Sequence, residues 1–371
     1  MLMFYIKDKI HGTIELSELA KSIIDTPEFQ RLRRISQTGA LSWVFHCATH
    51  NRFEHSIGVY YLSKLFAKNL TYESIIDDKK RLCEIIGIAG LIHDLGHLAY
   101  SHLFEQFLNA DKSIFHHETL SQQLFTKICI EYEIKLSEDE KNNIIDIIHP
   151  NKKWKNGFIW KGVNVGKWVY QIVACPETGI DVDKFDYIVR DSVTCGIKTL
   201  FDYKRIIQLA KIQDGEIVFP WKLRYEIFDM YLSRYHLYTN LYNHKAVISV
   251  QILIVKIFKE LNKKIDFINK IKNLDVIDIT DNIIYDYTND KIKDYLHKID
   301  TRQYPKLLDK EDPDVEHILQ VNNSMCSENK NPLTRIKYID SEDNIKYAKI
   351  KEYGILASQS YSDKIILHFS K

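Results

Sequence analysis

The stretch from Leu82 to Gly96 constrains this chain more than any other, because it is almost wholly apolar and yet carries His93 and Asp94 near its end. Ile85, Ile86, Ile88, Ala89, Leu91, Ile92 and Leu95 give it the length and composition of a buried helix. An ionised carboxylate in apolar surroundings must be paired or bound to a metal, or it gives up its charge. The fold therefore has to bring partners to the His-Asp pair, and a helical core that delivers further metal ligands is the expected solution.

The 371 residues allow one large domain or two, and 45% hydrophobic against 27% charged residues is the balance of a globular protein. A formal charge of +1 announces no strongly polyanionic partner, which argues against a nucleic-acid binder. Cys47, Cys83, Cys129, Cys175, Cys195 and Cys326 form no CxxC and no secreted framework, which fits a reducing compartment. No basic segment precedes an apolar core at the N-terminus, and no apolar run approaches ~18 residues. The expectation is a soluble, intracellular (cytoplasmic) chain with no membrane partner.

Residues before Gly12 read as extended, Ile14 to Ile24 as a helix, and Thr26-Pro27 as the start of another that runs to Ile35. Further helices are expected over 53–70, 100–109, 117–134, 180–192, 201–211 and 283–299, with one or two long ones over 221–261. Ser137, followed by Glu138, Asp139 and Glu140, reads as an N-cap with an acidic first turn. Residues 150–166 show no period and read as a surface loop. Strand-like runs appear at 216–219 and, after Pro305, at 315–321, 334–339, 345–350 and 364–369. The expected fold class is mainly α: a helical core over 1–300 and a small C-terminal α+β lobe over 301–371.

Adjacent residues on a helix point about 100° apart, so His93 and Asp94 share one ion only if it sits between their faces. His97 lies one turn beyond His93, and Gly96 is expected to end the helix and turn the chain so that His102 faces the same ion. His55, preceded by Arg52, is the best remote histidine, and Asp183 the best remote carboxylate. Two His and two Asp make a mixed nitrogen and oxygen site that suits Fe, Mn, Mg, Co or Zn. Arg52, Lys184 and, from the Tyr-rich stretch, Arg234 add cations, and cations around a metal suit hydrolysis of phosphate esters or anhydrides. Taken singly, a buried histidine is usually a hydrogen-bonded core residue, an HD dipeptide arises by chance, and a lysine or arginine is a solvated charge. The set, not any member, carries the metal reading.

At this point the strings become recognisable. His55, His93-Asp94 and Asp183 resemble the H…HD…D signature of the HD superfamily of metal-dependent phosphohydrolases. The longer strings "IHGTIELSELAKSIIDTPEFQRLRRISQTG", "HNRFEHSIGVYYL", "IAGLIHDLGHLAYSHLFE", "GIDVDKFDYIVRD" and "FDYKRIIQLAK" are similar to the SAM-and-HD-domain deoxynucleoside triphosphate triphosphohydrolases. The resemblance runs from about Ile10 to Lys245 and returns at "KIDTRQYPKL" and "ENKNPLTRIKYID". It implies an HD-domain helical core without the N-terminal SAM domain of the animal proteins, and conversion of a dNTP to deoxynucleoside and inorganic triphosphate.

Carried over by position, His55, His93, Asp94 and Asp183 would hold the metal. His102 would be the general acid at the leaving 5′-oxygen, supported by Glu105, where the family typically has aspartate. His97 and His117 would contact phosphates together with Arg52, Lys184 and Arg234. Gln37 and Asp191 would bind the sugar 3′-hydroxyl, and Tyr187 and Tyr242 would line a sugar pocket with no room for a 2′-hydroxyl; either tyrosine is otherwise ordinary core.

The resemblance also implies guanine nucleotide and dNTP effectors bound between subunits of a homo-oligomer, a dimer or tetramer. Asp25, Gln30 and Arg33 match the guanine-site pattern, with Arg302 and Lys306 as phosphate contacts from a later helix. Arg205, Lys222, His244 and Lys245 match the second nucleotide site. Phe4 stands for a lysine, Lys7 for an asparagine and Glu226 for another asparagine of these sites, so the effector specificity is expected to differ. By charge alone, Arg31, Arg33 and Arg34 also read as one solvated face.

Two rival readings remain at this point. One keeps fold and metal but changes the substrate, as in a phosphodiesterase or nucleotidase of the wider HD group. The other is a binding protein for nucleic acid or a partner on a retired HD scaffold, with Lys152-Lys153 and Lys263-Lys264 as basic clusters.

Overall fold

The computed structural model describes residues 4–72, 74–110, 115–150, 155–175, 177–287, 289–324, 331–354, 357 and 362–370. The Lys152-Lys153 cluster lies outside the described residues. The chain begins with an antiparallel hairpin, β1 (Phe4–Asp8) and β2 (Gly12–Leu16), whose turn is closed by Asp8 accepting from the amides of Ile10 and His11 at 2.8 Å each. The helix expected from Ile14 is thus half strand: Ile14 and Leu16 alternate inward from β2, and Ser17 then caps α1 (Glu18–Ile24). Thr26 caps α2 (Pro27–Gln30), which tightens into a 3-10 turn over Arg31–Arg34 instead of running on to Ile35.

Asn51 caps α3 (Arg52–Leu70), and the apolar run forms α4 (Lys79–Ile92). These two helices pack antiparallel, and glycines set how closely. A Cβ at Gly90 would overlap Ser63 Oγ and approach the Val59 carbonyl to 3.0 Å, and one at Gly87 would crowd Lys64. The first turn of α3 therefore lies directly beside the end of α4, and His55 meets His93.

After α4 come α5 (His102–Asn109), α6 (His117–Glu131) and α7 (Glu138–Ile148), the last opened by a capping box of Ser137 and Glu140. Helix α4 stops at Ile92, before the His-Asp pair, and Gly96 does not end it. A Cβ at Gly96 would overlap the carbonyl of His117 and crowd the Ser121 amide, so this glycine admits α6 against the loop. The turn that re-aims His102 is made by Tyr100 and Ser101, at φ 55° and 58°.

The segment read as a surface loop contains a hairpin, β3 (Phe158–Trp160) and β4 (Val163–Gly166), with Phe158 and Trp160 buried. Lys161 and Gly162 both have positive φ, 46° and 80°, the requirement of a tight hairpin turn. Helix α8 (Trp168–Val173) follows, then α9 (Val182–Cys195), capped by Asp181 and ended by Gly196 at φ 71°. Next come α10 (Tyr203–Leu209) and the hairpin of β5 (Lys211–Gln213) and β6 (Glu216–Pro220). Instead of one continuous helix, the chain forms α11 (Arg224–Leu237), a π turn over Tyr238–Tyr242, and α12 (Lys245–Asn262), bent by 63°. Helices α13 (Phe267–Lys272), α14 (Ile283–Asp286) and α15 (Asp290–Asp300) close the helical part. Asn289 caps α15, which divides the helix expected over 283–299.

The C-terminal strands are β7 (Leu307–Leu308), β8 (His317–Ser324), β9 (Lys337–Ile339), β10 (Ile345–Tyr347) and β11 (Ser362–Phe369). They divide between two small sheets, β7-β11-β8 and β10-β9-β6-β5, the second tied to the core by a parallel pairing of β6 with β9. The class is mainly α with a small α+β lobe. No single helix among the described residues is long and apolar enough to cross a membrane; the bent pair Trp221–Tyr242 and Lys245–Asn262 passes that test only when joined.

Candidate active site

Four side chains converge where α3, α4 and α9 meet. His55 Nε2 lies 3.1 Å from Asp183 Oδ1 and 3.4 Å from Asp94 Oδ2. His93 Nε2 lies 3.5 Å from Asp94 Oδ1 and 3.6 Å from Asp183 Oδ1. Neighbouring donors around one ion at about 2.1 Å stand roughly 3.0–3.4 Å apart, so these separations suit a coordination shell. Both Nε2 atoms are buried without a hydrogen-bond partner, a costly arrangement that a cation relieves.

The other ring nitrogens are held. Asp186 Oδ2 takes His55 Nδ1 at 2.8 Å, and the Gly90 carbonyl takes His93 Nδ1 at 2.8 Å. Those bonds place each proton on Nδ1 and leave the Nε2 lone pairs facing the carboxylates. Burial would push the Asp94 carboxyl up, but Arg52, His93 and His97 hold it well below the usual carboxylate range. Two imidazole nitrogens facing two ionised carboxylates make a mixed nitrogen and oxygen donor set that fits a divalent ion.

The loop after α4 is pinned from two sides. Arg31 is fully buried and donates to the carbonyls of Leu95 and of His97, the latter at 2.7 Å. It is therefore no part of a solvated face, although Arg33 and Arg34 are exposed. Burial pushes its pKa down to about 9. Ser121 Oγ donates to the His93 carbonyl at 2.8 Å and accepts from the Gly96 amide at 2.7 Å. Arg31 reads in the sequence as a surface charge and Ser121 carries no mark at all, because each acts through backbone atoms that residue types do not reveal.

Beside the four donors sits a histidine cluster. The His97 and His117 rings stack at 3.9 Å, and His102 meets His97 edge-on at 4.7 Å. Stacked rings aim their lone pairs in parallel planes that do not converge on one ion, so this pair suits hydrogen bonds to oxyanions. Burial, with Arg52 and His117 nearby, pushes His97 well below its ordinary pKa. Burial also opposes the charge on His117, yet Glu105, Glu118 and Asp94 carry its pKa up. Glu105 Oε2 accepts from His117 Nδ1 at 2.9 Å and stands 3.5 Å from His102 Nδ1, so its hydrogen bond goes to His117.

Arg52 joins Asp94 in a buried ion pair, donates to Ser101 Oγ at 2.9 Å and reaches the Gln37 carbonyl at 3.3 Å. The Gln37 side-chain oxygen is buried and unpartnered. Close by, His50 Nε2 meets Asp191 Oδ1 at 2.6 Å, and the Tyr242 hydroxyl donates to Asp191 Oδ2. Arg234 Nε donates to the Tyr187 hydroxyl at 2.9 Å, and Lys184 Nζ pairs with Asp181 at 3.0 Å. His50 and Asp186 carry no role in the sequence-based expectations. Asp186 stands one turn after Asp183 on α9, so helical spacing was an available signal for it, whereas His50 precedes the α3 cap Asn51 and is marked only by its place in "HNRFEH".

The residues matched to effector sites lie apart from this centre, on the surface. Asp25 pairs with Lys21, Gln30 accepts from Arg33 Nε at 2.8 Å, and Arg33 covers the Phe53 ring at 3.6 Å. Arg205 Nη1 donates to Glu226 at 2.9 Å. Lys222 lies exposed in the turn before α11, His244 caps α12, and Lys245 is its first residue. Arg302 takes φ 58° after α15, and the Lys306 amide donates to Ser370 Oγ at 3.0 Å.

Residues 52–190 match the HD domain family. Over 307 residues the chain is 31% identical to the deoxynucleoside triphosphate triphosphohydrolase SAMHD1 homolog of Dictyostelium discoideum, covering 81% of this chain and 56% of that protein. Over 296 residues it is 34% identical to an HD domain-containing protein of Acanthamoeba polyphaga mimivirus, covering 75% and 62%. Over 398 residues it is 30% identical to the Bos taurus SAMHD1 triphosphohydrolase, covering 95% and 67%. The chain thus spans between 56% and 67% of the length of these relatives. With its donor histidines and aspartates gathered at one point, the chain belongs to the HD-domain family, among the relatives of the SAMHD1 triphosphohydrolases.

Proposed function

We propose that the chain hydrolyses dNTPs to deoxynucleoside and inorganic triphosphate with a divalent metal (Fe, Mn, Mg or Zn) held by His55, His93, Asp94 and Asp183. The observation that carries this reading is the pair of buried, unpartnered Nε2 atoms facing two ionised carboxylates. When bound, such an ion polarises a phosphoryl oxygen.

The chain's own residues supply the rest. Arg52, His97 and His117 hold phosphate oxygens beside the donors, with Lys184 and Arg234 as further cations. His102, whose side chain is 64% exposed at the mouth of the cluster, delivers a proton to the leaving 5′-oxygen from the nitrogen that does not face Glu105. Asp191 and the free oxygen of Gln37 accept from the 3′-hydroxyl, and Tyr187 and Tyr242 wall the sugar side. We read residues 1–300 as the catalytic part and 301–371 as the lobe beside it, and the absence of a disulfide among the described cysteines fits an intracellular setting.

Activation by guanine nucleotide and dNTP, with assembly to a dimer or tetramer, is proposed on the resemblance around Asp25, Gln30, Arg33, Arg302 and Lys306. At the second site an anionic effector has to displace Glu226 from Arg205.

The deciding experiment is incubation of metal-loaded protein with each dNTP, with and without GTP, following triphosphate and deoxynucleoside. Release of orthophosphate or a nucleotide instead would make the chain a phosphodiesterase or nucleotidase. Purified protein that binds no metal and turns over no dNTP would be a binding protein on this scaffold.

A further inference from the structure

The N-terminal hairpin is wired to the metal centre. Asp186 has no exposed surface and accepts from three side chains. Its Oδ2 takes His55 Nδ1 and Arg190 Nε, each at 2.8 Å; its Oδ1 takes His11 Nε2 at 2.6 Å and Arg190 Nη2 at 3.0 Å. His11 comes from the β1–β2 turn, and its other nitrogen meets the Tyr203 hydroxyl of α10 at 3.0 Å. Asp8, from the same turn, holds Arg190 Nη1 at 2.9 Å. A Cβ at Gly58, one turn after His55, would overlap Asp186 Oδ1, so α3 leaves space for this carboxylate.

We propose that the hairpin is a positioning element for the metal ligands: His11, and Asp8 through Arg190, fix the Asp186 carboxylate, which fixes the ring of His55. The protons fit one assignment. Tyr203 O–H donates to His11 Nδ1, His11 Nε2–H donates to Asp186 Oδ1, and His55 Nδ1–H donates to Asp186 Oδ2, leaving His55 Nε2 as a donor atom for the ion. Arg190 already balances the Asp186 charge with two bonds, so what His11 adds is direction. By linkage, the ion and the seated hairpin stabilise each other. The inference rests on the reading of His55 as a metal ligand.

The test is titration of the metal-free full chain with Co(II), reading the dissociation constant and the visible absorption of the bound ion. His11→Phe, which keeps a ring but loses the donor, is expected to weaken binding by roughly 10–100-fold and to alter the absorption. His11→Gln, which restores a donor, is expected to recover most of both. Tyr203→Phe is expected to weaken binding less, in the same direction. A His11→Phe protein with the wild-type constant and spectrum overturns the proposal, even if its melting temperature falls, because the histidine is then structural only. Should His11→Phe not fold, an unchanged constant in Tyr203→Phe overturns it equally. If the wild-type chain takes up no Co(II), the metal reading itself fails, and the hairpin proposal falls with it.

Discussion

His50 and Asp191 stand 141 residues apart in sequence, yet His50 Nε2 lies 2.6 Å from Asp191 Oδ1 and both are buried. The contact leaves one lone pair on each Asp191 oxygen open to the sugar hydroxyl proposed to bind there, since Tyr242 takes one on the other side. It holds the carboxylate in one rotamer before substrate arrives. His50→Ala is expected to lower kcat/KM for dNTPs by roughly 10–100-fold, the cost of a loosened binding group, with metal content unchanged. Equal kcat/KM in the variant, measured as triphosphate release, would remove Asp191 from the sugar site.

Asp94→Ala and Asp183→Ala each remove a carboxylate that faces both imidazoles. Turnover is expected to vanish in either variant, and bound metal, measured by elemental analysis, to fall well below one per chain. Asp94→Ala also leaves Arg52 buried without its carboxylate, which adds a stability loss of about 3–5 kcal/mol that Asp183→Ala lacks. Full activity in either variant would sink the ligand assignment.

His102 is the exposed member of its cluster and packs least tightly. His102→Asn should therefore fold and bind metal normally while turnover drops by roughly 10²–10⁴, the span of a lost general acid. A drop of less than threefold would point to His117, which holds the Glu105 hydrogen bond, as the proton donor.

Gly96→Ala places a methyl group into the backbone of α6 at His117 and Ser121. Neither atom can give way without moving the helix. A loss of about 2–4 kcal/mol in urea unfolding is expected, together with reduced activity because His117 shifts from the site. A stability change under 0.5 kcal/mol would mean that α6 sits less firmly on the loop than the contact implies.

Glu216 ties β6 to its neighbours, Oε1 to Lys167 Nζ at 3.1 Å and Oε2 to Lys337 Nζ at 2.7 Å. Burial alone would raise its pKa, but the hydrogen bonds from Lys337 and Lys167 lower it. A folded pKa below the unfolded one, about 4.3, means the pair stabilises above that pH and ceases to do so as pH falls through the folded value. Glu216→Gln is therefore expected to cost about 0.5–1 kcal/mol at pH 7, discounted for the partly exposed lysines, and nothing at the acid end. Urea midpoints for both proteins from pH 7 to pH 3 check it; a constant gap would assign the loss to packing.

The helical core and the four side chains that meet at its centre were legible in the chain, for a physical reason. A histidine and an aspartate inside an apolar run cannot be buried unpartnered, and helical periodicity places the rest of α3, α4 and α9 around them. Where local pattern was ambiguous it misled: Ile14 and Leu16 fit a helix as well as a strand, and the β3–β4 turn lay in a stretch without period. Gly96 shows the same limit, since a glycine needed for close approach looks in sequence like one needed for a turn.

What the tertiary structure alone decided is how the donors are held. Arg31, Ser121, His50 and His11 reach the centre over sequence separations that no local spacing encodes, the first two through backbone carbonyls or amides. The apolar run dictated that the His-Asp pair must be met by partners. Only the packing of α3 against α4, set by Gly87 and Gly90, decided that His55 meets it.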